Sequence, residues 1–127
     1  MATKDKEKLF VVLCSAGFDN VLRMRSALMY ATLAAHSDYR SVLYCVQNAV
    51  DIMVQGKIEK NEVPPPGSPT LTQRLHEALD SSVEILCCSQ TLANKKIEGE
   101  QLVEGVKIAG AMTLISLTTS AKGTLCF

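Results

Sequence analysis

Aromatic residues are scarce: no tryptophan, three tyrosines and three phenylalanines in 127 residues. A platform for stacking nucleobases is therefore not expected. Net charge is also missing, with 13 basic and 13 acidic residues. A dedicated nucleic-acid surface would show a basic excess. No apolar run is long enough to span a bilayer, which takes about 20 residues. The longest uncharged stretch, residues 108–121, has 14 and carries Thr113, Ser116, Thr118, Thr119 and Ser120. The mixed-charge start, Lys4-Asp5-Lys6-Glu7-Lys8, and the short apolar segment 9–14 are not expected to act as a secretory leader, so a cytoplasmic protein is expected. The five cysteines, Cys14, Cys45, Cys87, Cys88 and Cys126, are odd in number and irregular in spacing. They do not read as a disulfide framework. In a reducing compartment they are free thiols, serving as core filler or as chemistry. There is no CxxC, HxxxH or Cys–His spacing for zinc, no GxGxxG and no P-loop.

What the sequence has is an ordinary globular balance, 47% hydrophobic and 20% charged. That excludes general disorder and fits one domain over residues 1–127. Residues 8–14 form a short apolar run, as in a strand buried on both faces. Asp19 and Asn20 offer caps for a helix over 21–35. Strands are expected at 41–46, 83–88, 106–109 and 124–127. Helices are expected at 49–54, 71–79 (capped by Thr70 or Thr72), 100–106 and 111–119, with a turn or short helix from Ser89 or Thr91. Residues 57–70 read as a loop, since the 64–69 stretch Pro-Pro-Pro-Gly-Ser-Pro lacks backbone donors. This loop is a crossing connection or a lid. Alternating strand and helix predicts an α/β fold, a three-layer α/β/α sandwich on a mostly parallel sheet.

Ligands of open parallel sheets bind at the carboxyl ends of the strands. Three of those ends carry cysteine: Cys14-Ser15-Ala16-Gly17, Tyr44-Cys45-Val46-Gln47-Asn48 and Cys87-Cys88-Ser89-Gln90-Thr91. Side chains alternate along a strand, so Cys87 and Cys88 point to opposite faces. Cys88 is the last residue before the turn, where helix amides favour a thiolate, the reactive form. Cys45 and Cys126 read as buried small hydrophobes. Cys14 and Cys87 lean the same way, with a binding role left open. His36 reads as a helix-end residue and His76 as part of a solvated face. Glu98, Glu100 and Glu104 read as a solvated helix face. The Ser15-Ala16-Gly17 turn offers backbone amides to a small anion.

These residues, taken in order, resemble the DsrE/DsrF-like family. The resemblance lies in Val83-Glu84-Ile85-Leu86-Cys87-Cys88-Ser89-Gln90-Thr91-Leu92, then Ile97, Glu100-Gln101-Leu102-Val103-Glu104-Gly105-Val106, Gly110 and Thr124-Leu125-Cys126-Phe127. It covers nearly the whole chain. Lys96 stands where many relatives have glycine before the isoleucine. The resemblance implies a five-stranded, three-layer sandwich and a homo-oligomer, a trimer or hexamer. It also implies sulfur carried as a persulfide or thiosulfonate on a strand-end cysteine, and no metal or organic cofactor. By spacing to Ile97 that cysteine is Cys88, with Cys87 beside it as the alternative. Cys14, Ser15, Gln90 and Thr91 are expected to bind the sulfur compound. The partners expected are sulfur-donor and sulfur-acceptor proteins or small sulfur compounds. A different class of function, a non-catalytic oligomeric accessory subunit, is motivated by the uncharged 108–121 run. A thiol peroxidase would need an arginine or threonine at the thiol; Thr91 is close, and no arginine neighbours Cys88 in sequence.

Overall fold

The computed structural model describes residues 5–127, with side chains from Lys8 onward. Most of the mixed-charge start therefore lies outside the described side chains. Among the described residues, five strands alternate with six α-helices. The strands are β1 (Asp5–Cys14), β2 (Tyr39–Cys45), β3 (Glu84–Cys88), β4 (Lys107–Ala109) and β5 (Gly123–Cys126). The helices are α1 (Val21–His36), α2 (Ala49–Ile52), α3 (Lys57–Asn61), α4 (Leu71–Asp80), α5 (Ser89–Asn94) and α6 (Ala111–Ser120). The sheet order is β4-β3-β2-β1-β5, and every pairing is parallel. No helix among the described residues is long and apolar enough to cross a membrane.

The sheet order dictates where the helices go. Parallel crossovers are right-handed. The chain steps from β1 through β2 and β3 to β4 in one direction, then returns past all of them to pair β5 with β1. A return in the opposite direction puts its helix on the opposite face. The two buried clusters show this division. Val12, Cys14, Leu43, Cys45, Ile85 and Cys87 pack with residues of α1 to α5, including Met24, Leu28, Ile52, Ile58, Leu75 and Leu92. On the other face Leu9, Val11 and Val42 meet Leu114 and Leu117 of α6.

Local chemistry sets the ends of the elements. Asn20 caps α1, its side chain accepting from the Arg23 N–H. Thr70, rather than Thr72, caps α4 in a reciprocal box: the Gln73 N–H donates to Thr70 Oγ1 at 3.1 Å, and the Thr70 N–H to Gln73 Oε1 at 2.7 Å. Gly17 lets two loops touch, because a Cβ there would stand 1.9 Å from the Asn48 carbonyl oxygen.

Two expectations about the elements are corrected. The 57–70 stretch is not all loop, because α3 forms at its start and buries Ile58 in the core. The 100–106 stretch is not an α-helix. Only a 3₁₀ turn forms, at Gly99–Gln101, and Gly105 has a left-handed φ of 95°. Leu102 is buried and bridges Val54, and the Val103 N–H donates to the Met53 carbonyl, so pairing across the fold replaces helical bonds. The proline loop is a crossing connection tied down at α1, where Arg25 donates to the Pro69 carbonyl and pairs with Glu62 at 3.6 Å.

Candidate functional site

The fold opens a crevice where consecutive connections leave the sheet on opposite faces. β3 is followed by α5, whose Leu92 joins the large cluster, and β4 is followed by α6 on the other face. Cys88 ends β3 at that divide, paired in register with Ala109, the last residue of β4. A groove of about 460 Å³ opens there, lined by Leu13, Val46, Gln47, Cys88, Gln90, Thr91, Asn94 and Leu114. Its polar lining is made of amides and one hydroxyl. Lys95, next along, is held at 3.2 Å by Asp51.

Cys88 keeps 8% of its surface exposed and is the N-cap residue, immediately before α5. Burial pushes its thiol up. The Thr91 backbone N–H, the Thr91 and Tyr44 hydroxyls and the Gln90 backbone N–H outweigh that together, and the thiol lies below its ordinary value of 9.0. Thr91 is held in place because its Oγ1 accepts from the Gln47 N–H at 3.3 Å. Gln47 itself has φ of 54°, which turns the chain sharply after β2. Tyr44 is fully buried, and its hydroxyl donates toward the carbonyls of Ala109, at 3.0 Å, and Gly110, at 2.9 Å. Burial first, then its contact with Cys88, raises the Tyr44 hydroxyl above its ordinary value.

The other cysteines stand apart. Cys14, Cys45 and Cys87 are side by side in register on β1, β2 and β3, all with no exposed surface and all in the large cluster. Burial pushes the Cys14 thiol up. Bonding to Cys87, and then burial, push Cys45 well up. Among the described residues no group of three or more His, Cys, Asp or Glu side chains is arranged to hold a metal ion. Cys126, expected in the core, is exposed, because β5 is an edge strand with little beyond it.

Of the residues expected to bind the sulfur compound, Gln90 and Thr91 line the groove with Cys88, whereas Cys14 and Ser15 do not. Nor does the proline loop, which lies against the start of α1. The Ser15-Ala16-Gly17 turn is a poor anion cradle. The Ser15 N–H donates to the Phe127 carbonyl at 2.9 Å, and the Gly17 N–H to the Asp19 carboxylate at 2.8 Å. Two amides are already used, and a carboxylate occupies the place of an anion. His36 ends α1 and meets Ser81, His76 is exposed, and Glu98, Glu100 and Glu104 are exposed, with Glu100 in the 3₁₀ turn and none of them on an α-helix. Lys96 has φ of 57°, a left-handed position that suits glycine.

Sequence reasoning missed Tyr44, Gln47 and Asn94 as parts of the site. For Tyr44 a signal was present: a tyrosine in an apolar strand needs a partner for its hydroxyl.

The fold has close counterparts among solved structures. The ychN protein from E. coli superposes with a TM-score of 0.78 at 20% identity, covering 94% of this chain and 99% of that one. A protein of unknown function, MTH1491 from Methanobacterium thermoautotrophicum, gives 0.68 at 17% identity, covering 97% and 100%. At such identities these likenesses speak for the fold. No curated protein matches the chain in sequence. The model of the DsrE/DsrF-like family, however, matches residues 8–127, from the apolar half of β1 to the end of the chain, and the chain belongs to that family.

Proposed function

We propose that this protein is a sulfur carrier, or a sulfurtransferase-like subunit, that holds sulfane sulfur on Cys88 and passes it to a partner thiol. Family membership supports a role related to sulfur transfer in general. The observation that carries the finer reading is the state of Cys88. Its thiol is lowered by hydrogen bonds and sits in an open groove at the point where the sheet's connections part. A thiolate attacks sulfur, and a buried thiol with a raised pKa does not.

In the loading step the Cys88 thiolate attacks the outer sulfur of a donor persulfide. The new S–S bond uses the thiolate's electron pair. The donor's own S–S bond breaks, and its inner sulfur leaves as a thiolate. Unloading is the same exchange in reverse, with the acceptor thiolate attacking the outer sulfur on Cys88. Neither step changes the total number of S–S bonds.

The test is intact mass after the reduced protein meets polysulfide and, separately, thiosulfate, with Cys88→Ser and Cys87→Ser alongside. A reducible gain of about one sulfur atom in wild type and Cys87→Ser, absent in Cys88→Ser, is the expected result. Equal loading of Cys88→Ser overturns the assignment.

A second reading, an accessory subunit within an oligomer, is favoured by a separate observation. The outer surface of α6 exposes Met112 (73%) and, about one turn on, Ile115 (53%). Neighbouring apolar side chains left in water are the usual mark of a protein contact. A second copy of this chain is the partner proposed for that face. The two readings are compatible if Cys88 loads, and the second stands alone if it does not.

A further inference from the structure

Tyr44 has a hydroxyl in the layer between the sheet and α6, with the ring fully buried. Two carbonyl oxygens, of Ala109 and Gly110, lie 3.0 and 2.9 Å from it. A hydroxyl has one proton and can serve one of them well at a time. The sheet order adds a constraint. Tyr44 stands on β2 and its carbonyl partners follow from β4, with β3 between them. The side chain therefore reaches across β3. It does so on the face from which Cys88 projects, since Tyr44 pairs in register with Leu86, two residues before Cys88. Ala109, whose carbonyl it meets, is the register partner of Cys88 itself. The register thus brings the hydroxyl beside Cys88, where it helps to lower that thiol.

We propose that Tyr44 is a positioning residue for Cys88: its hydroxyl proton turns from the Ala109 and Gly110 carbonyls to the sulfur when Cys88 is a thiolate, and holds that anion ready for attack. The role rests on Cys88 being the reacting thiol, as proposed above. Tyr44 keeps its proton throughout. When the thiolate's electron pair forms the new S–S bond, the sulfur loses its charge and the hydroxyl returns to the carbonyls.

Among the described residues, other charged groups do not account for such a hold. α6 has no titratable side chain, and α5 has none within its length. Lys95 is engaged by Asp51, Lys107 is exposed on β4, and Glu84 is paired with Arg40 at the opposite end of the sheet. On β1 and β2 the nearby thiols, Cys14 and Cys45, point to the other face with Cys87. The remaining donors are those of Thr91 and Gln90.

The experiment is the rate of iodoacetamide alkylation of Cys88, read on its peptide by mass, from about pH 6 to pH 10. Wild type is compared with Tyr44→Phe, which keeps the ring and removes the donor. The expected result is a midpoint raised by about one pH unit, so alkylation about tenfold slower near neutrality, with the same plateau at high pH. An unchanged midpoint overturns the proposal. So does a lowered plateau at an unchanged midpoint, which marks a packing role alone. Should Tyr44→Phe not fold, replacing tyrosine throughout by 3-fluorotyrosine keeps the shape and strengthens the donor. The midpoint should then fall, and a fixed midpoint overturns the role. Alkylation needs no sulfur donor. A failure of Cys88 to carry sulfur is therefore read in the loading experiment, and a failure of Tyr44 is read here.

Discussion

The two faces of the sheet are covered unequally, and the neighbours Cys87 and Cys88 fall on different ones. On one face α1 to α5 cover a broad cluster, and Cys87 has no exposed surface. On the other face α6 is the helical cover for a much smaller cluster, and Cys88 opens into a groove. A single step along the chain separates a packing residue from a candidate nucleophile. The difference is not in the residue type. It comes from the alternation of a strand and from a return connection that places α6 on the second face.

The comparison breaks most visibly under a thiol reagent. In native protein near neutrality, Cys88 and the exposed Cys126 should be alkylated, while Cys14, Cys45 and Cys87 react only through opening of the structure. Protection worth more than about 4 kcal/mol makes them slower by about a thousandfold. Mass mapping of alkylated peptides reads this directly, and fast labelling of Cys87 would erase the distinction between the faces.

A truncation tests the same contrast in the packing. Leu28→Ala removes a fully buried side chain from the large cluster and is expected to cost about 2–5 kcal/mol in denaturant unfolding. A loss below about 1 kcal/mol would mean that this face is loosely packed.

The two classes of thiol should also pull stability in opposite directions with pH. Cys14 and Cys45 have raised pKa values in the fold. Their contribution is complete below the unfolded value, ordinarily 9.0, and is lost as pH rises beyond it, because the unfolded thiols ionise first. Cys88 is lowered, so its contribution is present above 9.0 and is lost as pH falls through its folded value. Each group adds a slope of at most about 1.4 kcal/mol per pH unit. Melting curves from about pH 7 to pH 10 should therefore fall more steeply with pH in Cys88→Ser, and less steeply in Cys45→Ala, than in wild type. The reverse order would contradict the assigned environments.

The smallest effect is expected on the outer surface of α6. Met112→Ser should change the stability of a monomer by no more than about 0.5 kcal/mol. A larger loss, with melting that depends on protein concentration, means that another copy covers this surface.

Much of the architecture was legible because it rests on local patterns. The apolar run of β1, the Thr70 cap and the alternation of strand with helix each follow from nearby residues, and together they require a parallel sheet. The stretch from Glu100 to Val106 misled because Leu102 is buried by pairing with Val54, far away in sequence. Cys126 misled because a cysteine's burial depends on what lies beyond its strand, and β5 is at the edge.

The same division holds at the site. Cys88, Gln90 and Thr91 were readable together because a strand end and the turn after it are contiguous. The Ser15 turn was readable as a turn, but not as one whose amides are already bonded to Phe127 and Asp19. Tyr44 could be placed only by the fold, since its hydroxyl crosses a strand to meet residues 65 and 66 positions later. The sequence by itself determined most of the elements, their parallel sense and the thiol at the end of β3, because periodicity, caps and turns act over a few residues. Which thiols are sealed, which one opens into a groove and which hydroxyl stands beside it were decided by the tertiary structure. Burial and hydrogen-bond partners are set by strand order and by the face each helix covers, and neither can be read from a residue's neighbours in the chain.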